Sequence, residues 1–251
     1  MNDTIFPWFC SIVFVEQTIY GKREAFCGAT LISPTELLTA AHCIVGPLKR
    51  LNRKYTSQSV YCGKPGDLKL SHPASFHIHP NYTEVPVRHD IAIVQLEYRY
   101  NLTDDIQPIC LPSDDRDLSE FNGWVVGRGL TDENVRAVDP EEFTFNLTKP
   151  PKATTVEYIS NSECADKYRR YNCEEILDEH VCAGSRYKGT AKGDSGGPLM
   201  SRDHKNIWFL VGITSNGVNH YDAYVNQQKY PGIYVRVSSY CKYIEQHSNS
   251  F

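Results

Sequence analysis

The chain has 251 residues, 41% hydrophobic and 22% charged, with a formal net charge of −4. That is the composition of an ordinary globule large enough for its own core, built as one large all-β domain or two small ones. Nucleic acid and membrane surfaces are disfavoured as partners, because both need clustered Lys and Arg. The only basic cluster, Lys49-Arg50-Leu51-Asn52-Arg53-Lys54, reads as a solvated loop, and no run of 18 apolar residues offers a transmembrane helix.

In chain order, strand-length runs rich in Val, Ile, Thr and aromatics fall at residues 11–15, 29–32, 91–96, 124–126, 154–159, 209–214 and 233–237. Gly, Pro, Asn and Asp punctuate them. Helical periodicity is rare: one candidate begins near Ser162, and another covers 238–247 with Ser238 or Ser239 as N-cap. The pattern is all-β with a C-terminal helix, without internal repeat or low-complexity tract. The segment 107–112, with Pro108 and Pro112, reads as a connector between two β-halves.

Nine cysteines are scattered with no Cys-x-x-Cys pair, which argues against zinc ribbons and fingers and for disulfides in an oxidising compartment. Sequons at Asn2, Asn81, Asn101 and Asn146 agree with a secreted, extracellular location. The opening Met1 to Phe6 is too short and polar for a signal peptide, so the natural N-terminus is expected to lie outside this sequence. His77-x-His79 has a spacing compatible with a metal, but these two, like His72, His180, His204, His220 and His247, read more simply as surface or loop residues. No metal and no cofactor is expected.

Three segments carry chemistry: Thr39-Ala40-Ala41-His42-Cys43, then His89-Asp90-Ile91-Ala92-Ile93-Val94-Gln95-Leu96, then Gly193-Asp194-Ser195-Gly196-Gly197-Pro198-Leu199. Singly, each has a bland reading: a structural His after a strand, a strand entry, a glycine-rich turn. Jointly, in the order His, Asp, Ser, they resemble the trypsin/chymotrypsin family of serine peptidases, whose order differs from those of subtilisins and α/β-hydrolases. Pro7-Trp8 and Tyr230-Pro231-Gly232-Ile233-Tyr234 extend the resemblance over almost the whole chain.

The resemblance implies a single peptidase domain of two packed six-stranded antiparallel β-barrels, roughly residues 1–108 and 113–237, closed by a helix at 238–247. A serine hydroxyl is a poor nucleophile and needs an adjacent base. Ser195 is accordingly the nucleophile, His42 the base and then the acid, and Asp90 the group that orients the imidazole. The N–H groups of Gly193 and Ser195 form the oxyanion hole. Gly189, Thr190, Ser215, Gly217 and Gly232 map onto the substrate-binding pocket. Since Gly189 stands where a carboxylate would select Arg or Lys, the pocket is expected to be open, uncharged and suited to large apolar or aromatic side chains. Asp222, in a long loop at 218–230, is the residue that would overturn this. Asn216 replaces an aromatic residue and widens the neighbouring subsite.

The resemblance also implies bridges Cys27–Cys43 and Cys164–Cys182, and makes Cys10–Cys62 plausible. Two usual bridges have lost both partners, one at Gly123 and Ser201, the other at Ala191 and the 218–230 loop, which should leave the pocket walls more mobile. Cys110 sits where relatives bridge to a propeptide, with Cys241 as an alternative partner. Cys173 is unassigned, and the odd count leaves at least one thiol free or paired outside this chain. Relatives are activated when a new N-terminus of the type Ile-Val-Gly-Gly pairs with the carboxylate before the nucleophile, here Asp194. That motif is missing, so the sequence as given is expected to be inactive or zymogen-like. The implied partners are a protein or peptide substrate, an activating protease and protein inhibitors. The rival is a non-catalytic pseudo-peptidase that binds partners on the same fold. A lipase or esterase is set aside because the strand–elbow–helix context is missing.

Overall fold

The computed structural model describes residues 6–51, 56–112, 122–131, 146–169 and 175–248. The first sheet contains β1 (Phe9–Thr18), β2 (Gly21–Ser33), β3 (Glu36–Thr39), β4 (Thr56–Cys62), β5 (Lys69–Ser71), β6 (Pro73–Ile78) and β9 (Ala92–Leu96), with a separate hairpin of β7 (Thr83–Glu84) and β8 (Val87–Arg88). The second contains β10 (Gly123–Gly127), β11 (Lys152–Val156), β12 (Tyr158–Ile159), β13 (His180–Ala183), β14 (Pro198–Arg202), β15 (Trp208–Asn216) and β16 (Gly232–Arg236). The apolar runs singled out in the sequence fall on these strands, with 91–96 and 233–237 each overrunning by one residue and 154–159 divided between β11 and β12.

Each sheet is a ladder of seven members whose two ends are consecutive in sequence. In the first, β5 pairs with β4 at one end and β6 with β9 at the other, and only His72 separates them. In the second, β11 pairs with β10 and β12 with β13, and only Glu157 intervenes. A single bent strand therefore serves both edges and closes each sheet, which removes the unpaired edges an open sheet would present. Counting the bent strand once, each barrel has six strands, as expected. Numbered within its own barrel, each set runs in the same circular order, first, second, third, sixth, fifth, fourth. The repeat that is invisible in sequence is a repeat of topology.

Among the described residues four helices decorate the barrels: α1 (His42–Arg50), α2 (Asn161–Arg169), α3 (Tyr221–Val225) and α4 (Cys241–His247). The helix begun near Ser162 is α2. The C-terminal helix starts later than its sequence pattern indicates, because Val237–Tyr240 forms a 3₁₀ turn that contains Ser238 and Ser239. It docks on the first barrel, where the Tyr243 hydroxyl donates to the His77 carbonyl at 2.5 Å and Ser248 donates to Glu36 at 2.7 Å. No helix among the described residues is long and apolar enough to cross a membrane.

The barrels meet along two features. The first is an aromatic cluster of Phe6 with all three tryptophans, Trp8, Trp124 and Trp208, with ring centroids 5.6–6.1 Å from Phe6. The second is backbone against backbone: the Gly28 N–H donates to the Ser195 carbonyl at 2.7 Å, and a Cβ on Gly28 would lie 2.7 Å from the Gly197 Cα. Between them runs the segment 107–112, where Ile109 N–H donates to Leu31 of the first barrel and the Cys110 carbonyl accepts from Leu210 of the second.

Because both sides of the Gly28 contact are backbone, no rotamer change can absorb a methyl group there. Gly28→Ala should force the barrels apart and lower unfolding free energy by about 1–3 kcal/mol, the usual range for overpacking. A urea denaturation midpoint equal to that of the parent would contradict this tight approach.

Candidate active site

Strand register brings the first two motif residues together. Thr39 at the end of β3 pairs with Ala92 at the start of β9, so His42, three residues on, and Asp90, two residues back, leave the barrel at the same edge. The second barrel repeats the device. Pro198 of β14 pairs with Ile213 of β15, which puts Ser195 and Ser215 just beyond one another's strand. These edges face each other, and His42, Asp90, Ser195 and Ser215 line one cleft of about 430 Å³.

Asp90 is buried, 2% exposed, and its oxygens are fully engaged. Oδ1 accepts the His42 backbone N–H at 2.8 Å, while Oδ2 lies 2.7 Å from His42 Nδ1 and accepts the Ser215 hydroxyl at 2.6 Å. Burial pushes the Asp90 carboxyl up, but the adjacent imidazole and the hydrogen bonds from His42 and Ser215 outweigh it and hold the carboxyl below its ordinary range. For His42, burial favours the neutral ring, and the Asp90 charge overrides this and raises the pKa above 6.5. The Nδ1–H held by Asp90 leaves Nε2 as the basic nitrogen, which lies 3.7 Å from Cys43 Sγ. The role of Ser215 as a third hydrogen-bond partner of Asp90 had no sequence signal beyond its Ser-x-Gly context.

The turn around Ser195 is set by glycines. Gly193 has φ +98° and Gly196 φ +75°, and a Cβ on Gly196 would lie 2.5 Å from the Gly28 carbonyl oxygen. The N–H groups of Asp194, Gly196 and Gly197 donate to Ala191, Thr214 and Asp194 carbonyls. Those of Gly193 and Ser195 find no acceptor among the described residues.

Asp194 points away from the cleft into a second cavity of about 600 Å³. It is 8% exposed and accepts the Gly129 and Ala191 N–H groups, each at 2.8 Å. Burial raises its pKa to about 6 against the opposing effect of those two hydrogen bonds. No Lys, Arg or His among the described residues forms an ion pair with it.

The pocket differs from the expectation of an open well ending at Gly189. Thr190, Ser215, Gly217 and Gly232 line the catalytic cleft, whereas Gly189 lines the Asp194 cavity behind it. The Gln227 side chain stands between: its Oε1 accepts the Thr190 N–H at 3.2 Å and its Nε2 donates to the Thr190 carbonyl. Asp222, the alternative intruder, stays exposed in the first turn of α3. Nothing in the sequence distinguishes Gln227 from other polar loop residues, so its entry was not legible there.

Three disulfides join Cys10–Cys62, Cys27–Cys43 and Cys164–Cys182. Cys110 is exposed and not bridged to Cys241, and Cys173 lies outside the described residues. Packing replaces both lost bridges. The Tyr158 ring lies over Gly123, and its hydroxyl is 2.7 Å from the buried Ser201 hydroxyl. At Ala191, the two bonds from Gln227 to Thr190 tie the 218–230 loop to the pocket wall.

Cys27, His42 and Cys43 lie close enough to suggest a metal, but both sulfurs are spent in a disulfide. His77 and His79 enter an aromatic cluster instead: His79 stacks on His89 at 4.7 Å and faces Tyr243, and His77 packs on His247. His180 is a correction, because it is a buried residue that opens β13 and accepts the Leu177 N–H at 3.2 Å, rather than a surface residue. Among the sequons, Asn81, Asn101 and Asn146 are exposed, and Asn2 lies outside the described residues.

The comparisons agree with this geometry. The Trypsin family model matches residues 2–244. Similar curated proteins include coagulation factor XI of Bos taurus, 34% identical over 95% of this chain and 35% of that protein. A CLIP domain-containing serine protease B9 of Anopheles gambiae is 28% identical over 95% of this chain and 59% of its own length. The venom serine protease Bi-VSP of Bombus ignitus is 32% identical over 93% and 62%. The chain thus spans between about a third and somewhat under two thirds of these relatives. With two closed barrels meeting at a His–Asp–Ser cleft and a family model matched almost end to end, the chain belongs to the trypsin family of serine proteases.

Proposed function

We propose that this chain is the peptidase domain of a secreted serine endopeptidase that cleaves internal peptide bonds through an acyl-enzyme on Ser195. The observation that carries the reading is the cleft itself, which His42, Asp90 and Ser195 line together, with the imidazole held by Asp90 at 2.7 Å. Three disulfides and exposed sequon asparagines support an extracellular setting.

In this mechanism Ser195 Oγ attacks the scissile carbonyl carbon as His42 Nε2 takes its proton. The electron pair moves to the carbonyl oxygen, which the Gly193 and Ser195 N–H groups receive. Asp90 stabilises the imidazolium without accepting its proton. The intermediate collapses, the C–N bond breaks, and His42 protonates the departing amine. Water then enters, gives its proton to His42 and attacks the ester carbonyl, and Ser195 regains its proton as the acid leaves. The end of β15 at Ser215 and Asn216, followed by Gly217, supplies a strand edge against which a substrate backbone pairs.

Asp194 is the proposed seat of a cation delivered on activation. A buried carboxylate without a counter-charge is costly, and an ammonium in its cavity would relieve that cost while ordering the adjacent Gly193 and Ser195 backbone. The activating protease and protein inhibitors belong to the same proposal.

A fluorophosphonate probe, which reacts with an activated serine, tests the function on the full-length protein after proteolytic activation. Labelling that disappears in Ser195→Ala is the expected result. Absence of labelling in every form supports the pseudo-peptidase alternative. Asp90→Asn should retain the fold and lower kcat by about 10⁴-fold, because the amide would hold the imidazole in the wrong tautomer.

The raised His42 pKa places the acid limb of the kcat/KM profile above pH 6.5, since only the neutral ring accepts the serine proton. Removing the Asp90 charge should move that limb down, and an unmoved limb would count against the assignment.

For Asp194 the folded pKa of about 6 exceeds the ordinary 3.8. Its protonation therefore contributes stability that is complete below about pH 4 and lost as pH rises through about 6, a loss of about 3 kcal/mol by neutral pH. Before activation, Asp194→Asn should flatten the dependence of Tm on pH between 4 and 7. An equal slope in parent and variant would show that Asp194 is already neutralised.

A further inference from the structure

We propose that Gln227 is a specificity-determining residue: its side chain forms the floor of the primary pocket and restricts the residue before the cut to an uncharged side chain of about Leu or Met length. The proposal rests on the endopeptidase reading and adds a substrate class to it.

Gln227 is polar, lies in a loop, and is nonetheless only 4% exposed. Its position is fixed by the loop that carries it. His220 caps α3 by accepting the Ala223 N–H at 3.2 Å, and the Tyr187 N–H donates to the Val225 carbonyl at 2.9 Å. Asn226 accepts the Lys229 and Tyr230 N–H groups at 3.1 and 3.0 Å. The residue between these anchors has little freedom, and its amide closes on both the N–H and the carbonyl of Thr190.

The amide occupies the space that an ordinary residue at 189 would fill. A Cβ on Gly189 would overlap the Gln227 amide carbon and oxygen, and a Cβ on Gly184 would lie 2.5 Å from Gln227 Cβ. Gly184, Gly189 and Gln227 are thus a matched set: the glycines make room, and the glutamine fills it. Gln227 also belongs, with Thr190, Ala191 and Tyr224, to the wall shared by the catalytic cleft and the Asp194 cavity. A substrate side chain entering beside Ser195 therefore meets an amide where the cavity would otherwise continue to Gly189.

Charge excludes the basic substrates. The acidic residues of the cleft are Glu84 and Asp90, and both are engaged, Glu84 with Lys49 at 2.8 Å and Asp90 with His42 at 2.7 Å. An Arg or Lys side chain at the floor would bury its cation against a neutral amide, which is strongly unfavourable. Length excludes the large aromatics, because the floor is filled. A branched or thioether side chain that stops short of the amide suffers neither penalty.

Activated full-length protein is profiled with fluorogenic peptides that differ at the residue before the cut. The parent should prefer Leu and Met over Phe, Tyr, Arg and Lys by about tenfold or more, within the 10–200-fold range that pocket size typically supplies. Relative to Leu in the same variant, Gln227→Ala should raise kcat/KM for Phe and Tyr by about tenfold, and Gln227→Glu should do so for Arg and Lys, so that any general change in activity cancels from the ratio. The same ranking in all three, with Ser195 still labelled in the parent, overturns the proposal and leaves the endopeptidase reading standing. A parent that is never labelled removes that reading, and the substrate preference with it.

A thermal-melt cycle tests the packing without reference to activity. Gly189→Ala should lower Tm strongly in the parent and much less in Gln227→Ala, since any backbone cost at 189 is common to both backgrounds. Additive shifts overturn the placement of the amide against Gly189.

Discussion

The structure depends on one backbone contact, the approach of Gly28 to Ser195 and Gly197. Neither barrel alone holds a site. His42 and Asp90 leave one, and Ser195 and Ser215 leave the other. The Gly28 N–H on the Ser195 carbonyl fixes the nucleophile turn against the first barrel at the place where Thr39, three residues before His42, donates to the Gly28 carbonyl at 2.9 Å. Side chains at this seam would hold the barrels several ångströms apart, and hydrogen-bond geometry across the cleft tolerates far less than that. The aromatic cluster around Phe6 supplies apolar burial along the same interface, but it is the glycines that set the distance.

Charge is distributed unevenly across this seam. Asp90 is buried with every oxygen engaged, by His42 from its own barrel and Ser215 from the other, and is therefore a stable carboxylate. Asp194 is buried with two backbone donors and no ion pair among the described residues, and its proton affinity rises accordingly. Two aspartates, one hydrogen-bonded to the reacting histidine and one preceding the reacting serine, are thus shifted in opposite directions. One holds a tautomer, and the other leaves a cavity suited to a cation.

The pocket shows how packing can take over from covalent chemistry. Where the family pattern has a bridge between 191 and the following loop, the loop here is tied by an amide that also occupies the pocket. Where a second bridge would lie, Tyr158 spans Gly123 to reach Ser201. These contacts give little of the unfolded-state restriction that a disulfide gives, but they hold the folded walls in place. The remaining bridges, with sequence separations of 52, 16 and 18, restrict the unfolded chain by about 3–4 kcal/mol each on the loop-entropy model.

What the sequence determined by itself is whatever short-range chemistry encodes. Strand runs with β-branched and aromatic residues, the glycines of the Ser195 turn, and the His42, Asp90 and Ser195 motifs are all local, so those strands and the reacting groups were legible, whereas β3 to β8, β13 and β14 were not among the runs read. Helix α1 was not, because Gly46 and Pro47 lie inside it and mask its period. The closure of each barrel was not legible either, since β11 and β12 read as one run, 154–159, whose bend follows from pairing with strands at opposite edges. Nor were His180 as a buried residue or Gln227 as the pocket floor. Both are polar residues whose burial is decided by neighbours far away in sequence, and a side chain's local context carries no record of which distant backbone will satisfy its hydrogen bonds. Only the tertiary structure, by bringing Thr190 within reach of one loop amide, decided the depth of the pocket.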